Sequence, residues 1–246
     1  MDHQAAREGF HKSYLQAPPF TLTAYQRASS PSDTLTVYIE GDGASWVSRS
    51  EPSDDPTPRR PVAFELAAAD DAENVLYLAR PGQFEEGMAP RTDPAYWRGK
   101  RYSEDVVHAV NAAIDMVKLS SGASRVSLAG FSGGGALAVL VAARRDDVVA
   151  LRTVAGNLAL DVFCGAHDIS PLEGSLDPLT VASALKDIPQ RHFIGSRDRV
   201  VPRAAAEAFL DAQGDMEHKR LIVVEGVDHM EGWRARWPGL LAEPLK

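Results

Sequence analysis

Six short, nearly continuous apolar runs alternate with stretches of helical periodicity, and this alternation restricts the chain to one broad class of fold. The runs are Leu35 to Ile39, Asn74 to Leu78, Arg125 to Ala129, Val149 to Val154, His192 to Ile194 and Arg220 to Val224. Runs without a polar face are expected of strands covered on both sides, as in a mostly parallel sheet with helices on either face. Between them, Ser103 is placed to N-cap a helix whose first turn holds Glu104 and Asp105, and Val106, Val110, Ala113, Ile114 and Val117 repeat at helical spacing before Gly122. A second helix is predicted from Gly134 to Arg144. A third follows Pro202 and turns Ala206, Phe209 and Leu210 inward. A last helical stretch puts Trp233, Trp237, Leu240 and Leu241 on one face, with Pro238 expected to break or kink it.

The 246 residues suit one α/β domain spanning 1–246. With 44% hydrophobic and 24% charged residues the chain is neither a disordered nor a low-complexity sequence. A single cysteine, Cys164, excludes an internal disulfide and a cysteine-based zinc site. The formal net charge of -8 repels a phosphate backbone, so nucleic-acid binding is disfavoured. No apolar run approaches the roughly 20 residues of a membrane span. Met1 to Tyr14 lacks the apolar core of a secretory signal, so a cytoplasmic protein is expected, with export after removal of a signal as the alternative.

Three stretches are irregular: Ser48 to Pro61, Arg80 to Arg101 and Gly156 to Pro178. Each follows a predicted strand, and in open α/β sheets ligands bind beyond the carboxyl ends of the strands.

The strongest chemical signal is Gly130-Phe131-Ser132-Gly133-Gly134, which fits the G-x-S-x-G turn between a strand and a helix. Such a turn pushes a serine hydroxyl out at the top of the sheet, and its flanking glycines relieve backbone crowding. The pentapeptide alone arises by chance in roughly one chain in ten, so the context of an apolar strand before and a small-residue helix after carries the reading. Gly133-Gly134-Gly135-Ala136-Leu137-Ala138 also fits a dinucleotide fingerprint, G-x-G-x-x-A. That reading needs an acid about 20 residues on, at the end of the next strand, and Thr153 stands there instead.

A nucleophilic serine needs a base and an acid to orient it. Of the seven histidines, His229 alone follows the final apolar strand, in Glu225-Gly226-Val227-Asp228-His229. His3, His11 and His108 are expected to face solvent, while His167 lies in a loop and stays open as a candidate. Asp198, after the strand His192 to Ile194, is the expected acid; Asp161 and Asp168, one strand earlier, are the runners-up. Asp228 adjoins His229 and is badly placed to orient it. An oxyanion requires two backbone donors. Gly133 supplies one by its position after the serine. Asp42 in Glu40-Gly41-Asp42-Gly43 is the choice for the other, with Gly43 second. Trp46, Phe131, Trp97 and Met230, with Phe84, Tyr96 and Phe163 beyond them, are candidates to line an apolar substrate pocket and equally fit a core.

These motifs, in this order, resemble the α/β-hydrolase superfamily over Leu35 to about Leu241. More loosely, Tyr38 to Trp46 and Arg49 to Pro61 resemble a group of bacterial α/β-hydrolases of which some are exported or lipid-anchored. The resemblance implies an α/β-hydrolase fold with a small cap or none. It implies a serine hydrolase that uses Ser132, Asp198 and His229 through an acyl-enzyme, acts on a small acyl compound such as a carboxylic ester, and needs neither metal nor organic cofactor. Many members have His-Gly where this chain has Glu40-Gly41, which sets its oxyanion loop apart. A thioester, amide or peptide substrate on the same residues, or a non-catalytic binding protein of the same fold, are the alternatives.

Overall fold

The apolar runs become strands of one eight-stranded sheet in the computed structural model, which describes residues 1–48, 51–85, 87–88, 91–218 and 220–245. The strands are β1 (His11–Ala17), β2 (Phe20–Ala28), β3 (Thr34–Ile39), β4 (Asn74–Leu78), β5 (Arg125–Phe131), β6 (Val148–Val154), β7 (Gln190–Gly195) and β8 (Leu221–Val224). Their order across the sheet is β1-β2-β4-β3-β5-β6-β7-β8. From β4 to β8 every pairing is parallel, whereas β2 runs antiparallel to both β1 and β4. Arg49, Ser50, Glu86, Ala89 and Pro90, which fall in two of the irregular stretches, lie outside the described residues.

Helices α1 (Asp2–Arg7), α2 (Val62–Ala69), α3 (Glu104–Ser121), α4 (Gly133–Ala142), α5 (Leu160–His167), α6 (Arg203–Ala212) and α7 (Trp233–Leu241) cover both faces of the sheet. Alternation along each strand sorts its side chains between two cores. Leu35, Val37, Ile39, Val126 and Leu128 pack with α3, α4 and α6 on one face. Tyr38, Tyr77, Phe131 and Phe193 pack with α2 and α7 on the other. Burying an apolar side chain of this size contributes ~1.5–3 kcal/mol. The polar tips are satisfied as they must be when buried: the Trp237 indole donates to the Tyr38 hydroxyl at 2.9 Å, and that hydroxyl donates to Asp70 at 2.5 Å.

The parallel strands and the helices after Ser103, Ser132 and Pro202 occur where the periodicity predicts them. Five points differ from the sequence reading or add to it. The antiparallel β1–β2 hairpin precedes the first apolar run, and α2 emerges from the Pro-rich stretch behind Pro61. Ser103 stands at the N-cap of α3, but its hydroxyl makes no capping bond. The stretch after β6 is not wholly irregular: it holds α5 and a 3-10 stretch, Pro178–Leu185, which are the only helical elements between β6 and β7. Finally, α7 runs through Pro238, because Trp233 and Trp237 are anchored in the core on the preceding turns and losing one N–H donor does not release them. Among the described residues no helix is long and apolar enough to cross a membrane.

Candidate active site

Ser132 occupies the turn between β5 and α4 with φ 51° and ψ -120°, a backbone conformation rarely adopted by a residue with a side chain. The turn is this tight because backbone presses on backbone with no side chain between. A Cβ on Gly130 would lie 2.2 Å from the Gly134 carbonyl oxygen, and one on Gly134 would lie 2.2 Å from that of Ile39. The main chain of Ser132 is tied to the next strand and loop: its N–H donates to the Val154 carbonyl at 2.9 Å, and its carbonyl accepts from the Asn157 N–H at 3.1 Å. Asn157 is a site neighbour that no sequence motif singled out. Its buried carboxamide has no partner among the described residues.

The structure brings Ser132, His229 and Asp198 together. His229 Nε2 lies 3.1 Å from Ser132 Oγ, and His229 Nδ1 lies 2.9 Å from Asp198 Oδ2. The loops that carry acid and base are stitched to each other. Arg197 N–H donates to the Val227 carbonyl at 2.9 Å, and Gly226 N–H donates to Ser196 Oγ at 2.9 Å. Trp233 secures the far side, its indole donating to the His229 carbonyl at 3.0 Å. The Asp198 carboxylate is buried, which opposes ionisation. The His229 hydrogen bond and charge, with the N–H groups of Val200 and Val201, outweigh this and hold its pKa below the usual carboxylate range. An ionised carboxylate only accepts, so Nδ1 carries the imidazole hydrogen and Nε2 is left to accept from the Ser132 hydroxyl.

The other candidate acids stand elsewhere. Asp161 lies in the first turn of α5, and Asp168 is the residue after that helix. Asp228 caps its own turn, accepting from the N–H groups of Met230 and Glu231 at 2.8 and 2.7 Å. His167 Nε2 bonds the Val200 carbonyl, and His192 is buried between Thr153 and Gln190. Burial, helped by the charges of Arg220 and Arg191, pushes the His192 pKa down to about 3.

Phe131, one of the residues expected near a pocket, is buried: its ring centroid lies 5.1 Å from that of His229, and its edge abuts Gly41. It braces the imidazole against the loop after β3. Trp97 is buried too, its indole donating to the Ser53 carbonyl at 3.0 Å and its ring filling the space beside Gly82, so it packs loop against loop. Trp46 stands exposed on the loop after β3, and Met230 is half-buried against the α2–α7 core. A cleft of about 450 Å³ at the β1–β2 edge, lined by Tyr14, Phe20, Met88, Thr92 and Tyr96, contains none of the Ser132 neighbours. Among the described residues no group of three or more histidine, cysteine or acidic side chains could hold a metal ion.

Asp42 and Gly133 are adjacent. A Cβ on Gly133 would lie 2.0 Å from Asp42 Oδ1, so the Asp42 side chain occupies the space that a larger residue after the serine would fill. Neither backbone N–H has an acceptor among the described residues. Two residues before Asp42 stands Glu40. Its carboxyl is fully buried and accepts from the Gly41 N–H at 2.9 Å and the Tyr77 hydroxyl at 3.1 Å, with no cation paired to it among the described residues. Burial raises its pKa, and these donors offset only part of the rise, leaving it at about 7 against an ordinary 4.5. Between those two values the folded chain holds a proton that the unfolded chain has lost. Stability from this group is therefore complete below pH 4.5 and declines by about 3 kcal/mol as pH rises to 7. Glu40→Gln, which imitates the protonated form, is expected to remove that decline. Urea unfolding of both proteins at pH 5 and pH 8 measures it, and an equal loss in both excludes Glu40 as its source.

No family model matches the chain, and no curated protein matches its sequence. Its fold, however, is shared with many solved structures. An esterase of Pyrococcus furiosus, Pf2001, superposes with a TM-score of 0.66 at 13% identity over 100% of this chain and 94% of that one. An alpha-beta serine hydrolase homologue from Coxiella burnetii gives 0.61 at 18% identity, over 94% and 93% of the two chains. A lidless α/β serine hydrolase from Xanthomonas campestris, XC6422, gives 0.59 at 14% identity, over 94% and 92%. The strand order, the helices on both faces and these likenesses agree: the chain has the α/β-hydrolase fold.

Proposed function

We propose that this protein is a serine hydrolase that cleaves carboxylic esters through an acyl-enzyme. The observation that carries the reading is the unbroken line from Asp198 through His229 to Ser132, with separations of 2.9 and 3.1 Å, ending on a serine held in a strained turn. The similar structures include an esterase and serine hydrolases, which adds support.

In the first half-reaction Ser132 Oγ attacks the ester carbonyl while His229 Nε2 takes its proton. Asp198 keeps Nδ1 protonated and stabilises the imidazolium that forms. The N–H groups of Gly133 and Asp42 receive the developing oxyanion. His229 then protonates the leaving alcohol. In the second half it draws a proton from water, which attacks the acyl carbonyl and frees the acid and Ser132. The partner is a small acyl compound; the net charge of -8 works against nucleic acid. Only α5 and the short 3-10 stretch come between β6 and β7, so any cover over the site is small.

A fluorophosphonate probe tests the reading. The wild-type protein is expected to take up one equivalent and Ser132→Ala none, with 4-nitrophenyl ester hydrolysis lost in step with labelling. A wild-type protein that is not labelled overturns the proposal.

A further inference from the structure

The second oxyanion donor belongs to the Gly41–Asp42 peptide, and an ordinary loop peptide is free to rotate. This one is gripped on both sides. The Gly41 carbonyl accepts from Gln83 Nε2 at 2.9 Å, and the Gln83 carboxamide is itself oriented by the Arg80 N–H, which donates to its Oε1 at 3.1 Å. In a trans peptide the C=O and N–H point in opposite directions, so a fixed carbonyl fixes the N–H of Asp42 on the other side. The side chain of Asp42 is held as firmly. Arg80 Nη1 donates to Oδ1 at 2.5 Å and Arg101 Nη1 to Oδ2 at 2.9 Å, while the Tyr102 hydroxyl lies 3.1 and 3.0 Å from the two oxygens. The clamps are themselves tied down: Arg80 also donates to the Arg101 carbonyl, and Arg101 Nε donates to the Arg98 carbonyl at 2.7 Å. Gln83, Arg80, Arg101 and Tyr102 are all buried. Two guanidiniums outweigh the burial cost of the Asp42 carboxylate and keep its pKa down at about 2, so the grip persists through the working pH range.

Such an outlay of buried polar groups on one loop residue is unusual in a core, where a partly broken ionic network is costly. Its position against Gly133 gives it a purpose. We infer that Gln83 and the Arg80–Arg101–Tyr102 clamp on Asp42 are positioning residues that aim the Asp42 N–H at the oxyanion before substrate arrives. This rests on the serine-hydrolase reading. It goes beyond that reading in assigning a role to four side chains distant in sequence from Ser132.

Gln83→Leu tests it, since leucine fills nearly the same volume and removes both hydrogen bonds. Turnover of a 4-nitrophenyl ester, counted per site titrated with fluorophosphonate, is expected to fall by ~10²-fold with KM within threefold, the scale of losing one oxyanion donor. Affinity for a trifluoromethyl ketone, whose adduct oxygen occupies the oxyanion position, is expected to fall in the same proportion. A purely structural role lowers the melting temperature and the number of titratable sites but leaves turnover per site unchanged, and that result overturns the inference. Should Gln83→Leu fail to fold, Tyr102→Phe removes a single hydroxyl from the clamp. A roughly tenfold fall per titrated site is expected, smaller because the two arginines remain; turnover within a factor of two of the parent overturns the inference. A wild-type protein that takes up no fluorophosphonate refutes the underlying reading instead, so the two failures are told apart.

Discussion

Ser132→Ala is expected to lower ester turnover by ~10⁴-fold or more while leaving the fold intact. The size of the loss follows from the chemistry: without Oγ there is no acyl-enzyme, and only the backbone donors and water remain to act on the ester. Folding is spared because the hydroxyl bonds only the partly exposed His229 ring. The strained backbone at φ 51° is set by the surrounding glycine contacts and is shared by serine and alanine alike. Steady-state hydrolysis with a thermal melt of each protein measures both halves. A variant within tenfold of the parent, or one that melts many degrees lower, contradicts the assignment.

Asp198→Asn is expected to cost a comparable factor, for a reason specific to this loop. Asp198 Oδ1 accepts from the N–H groups of Val200 and Val201 at 2.8 and 3.0 Å, so the oxygen of an asparagine must take that position. Its NH₂ then faces His229 Nδ1 and forces that nitrogen to accept. The imidazole hydrogen moves to Nε2, and the base can no longer take a proton from Ser132. Loss of correct tautomer in such a triad costs ~10⁴ in turnover. Asp161→Asn and Asp168→Asn, on and just after α5, are expected to change turnover less than threefold. If either of these is the inactive variant and Asp198→Asn is active, the acid has been assigned to the wrong strand.

The parts of this fold legible in sequence are those whose physics is local. β4 and β5 are buried on both faces and so stand out as nearly continuous apolar runs, and the turn at Ser132 announces itself through glycines that no other residue could replace. β1 is different: as the outermost strand it is largely exposed, its sequence His-Lys-Ser-Tyr-Leu-Gln-Ala is mostly polar, and nothing marks it before β2 pairs with it. α2 is short and alanine-rich, and the preceding prolines disguise its start. The Asp42 loop was recognisable from Gly41 and Gly43, yet the groups that hold it, Arg80, Gln83, Arg101 and Tyr102, come from 38 to 60 positions away. Ion pairs across such separations leave no spacing or periodicity to read. Trp97 shows the same limit: an aromatic residue in a loop looks alike whether it meets substrate or seals one loop against another.

The contacts of Gly130 and Gly134 bear on how this molecule can vary. Where side chains separate a helix from a sheet, exchanging one for another shifts the gap by fractions of an ångström, and neutral drift in a core slowly moves whatever the helix carries. At its first turn α4 meets β3 and β5 main chain to main chain, through Gly134 against Ile39 and Gly130, and main-chain atoms are the same in every variant. Ser132 is thereby insulated from changes in the cores on either side. Substitutions in those cores are therefore expected to leave the serine where the glycine contacts put it.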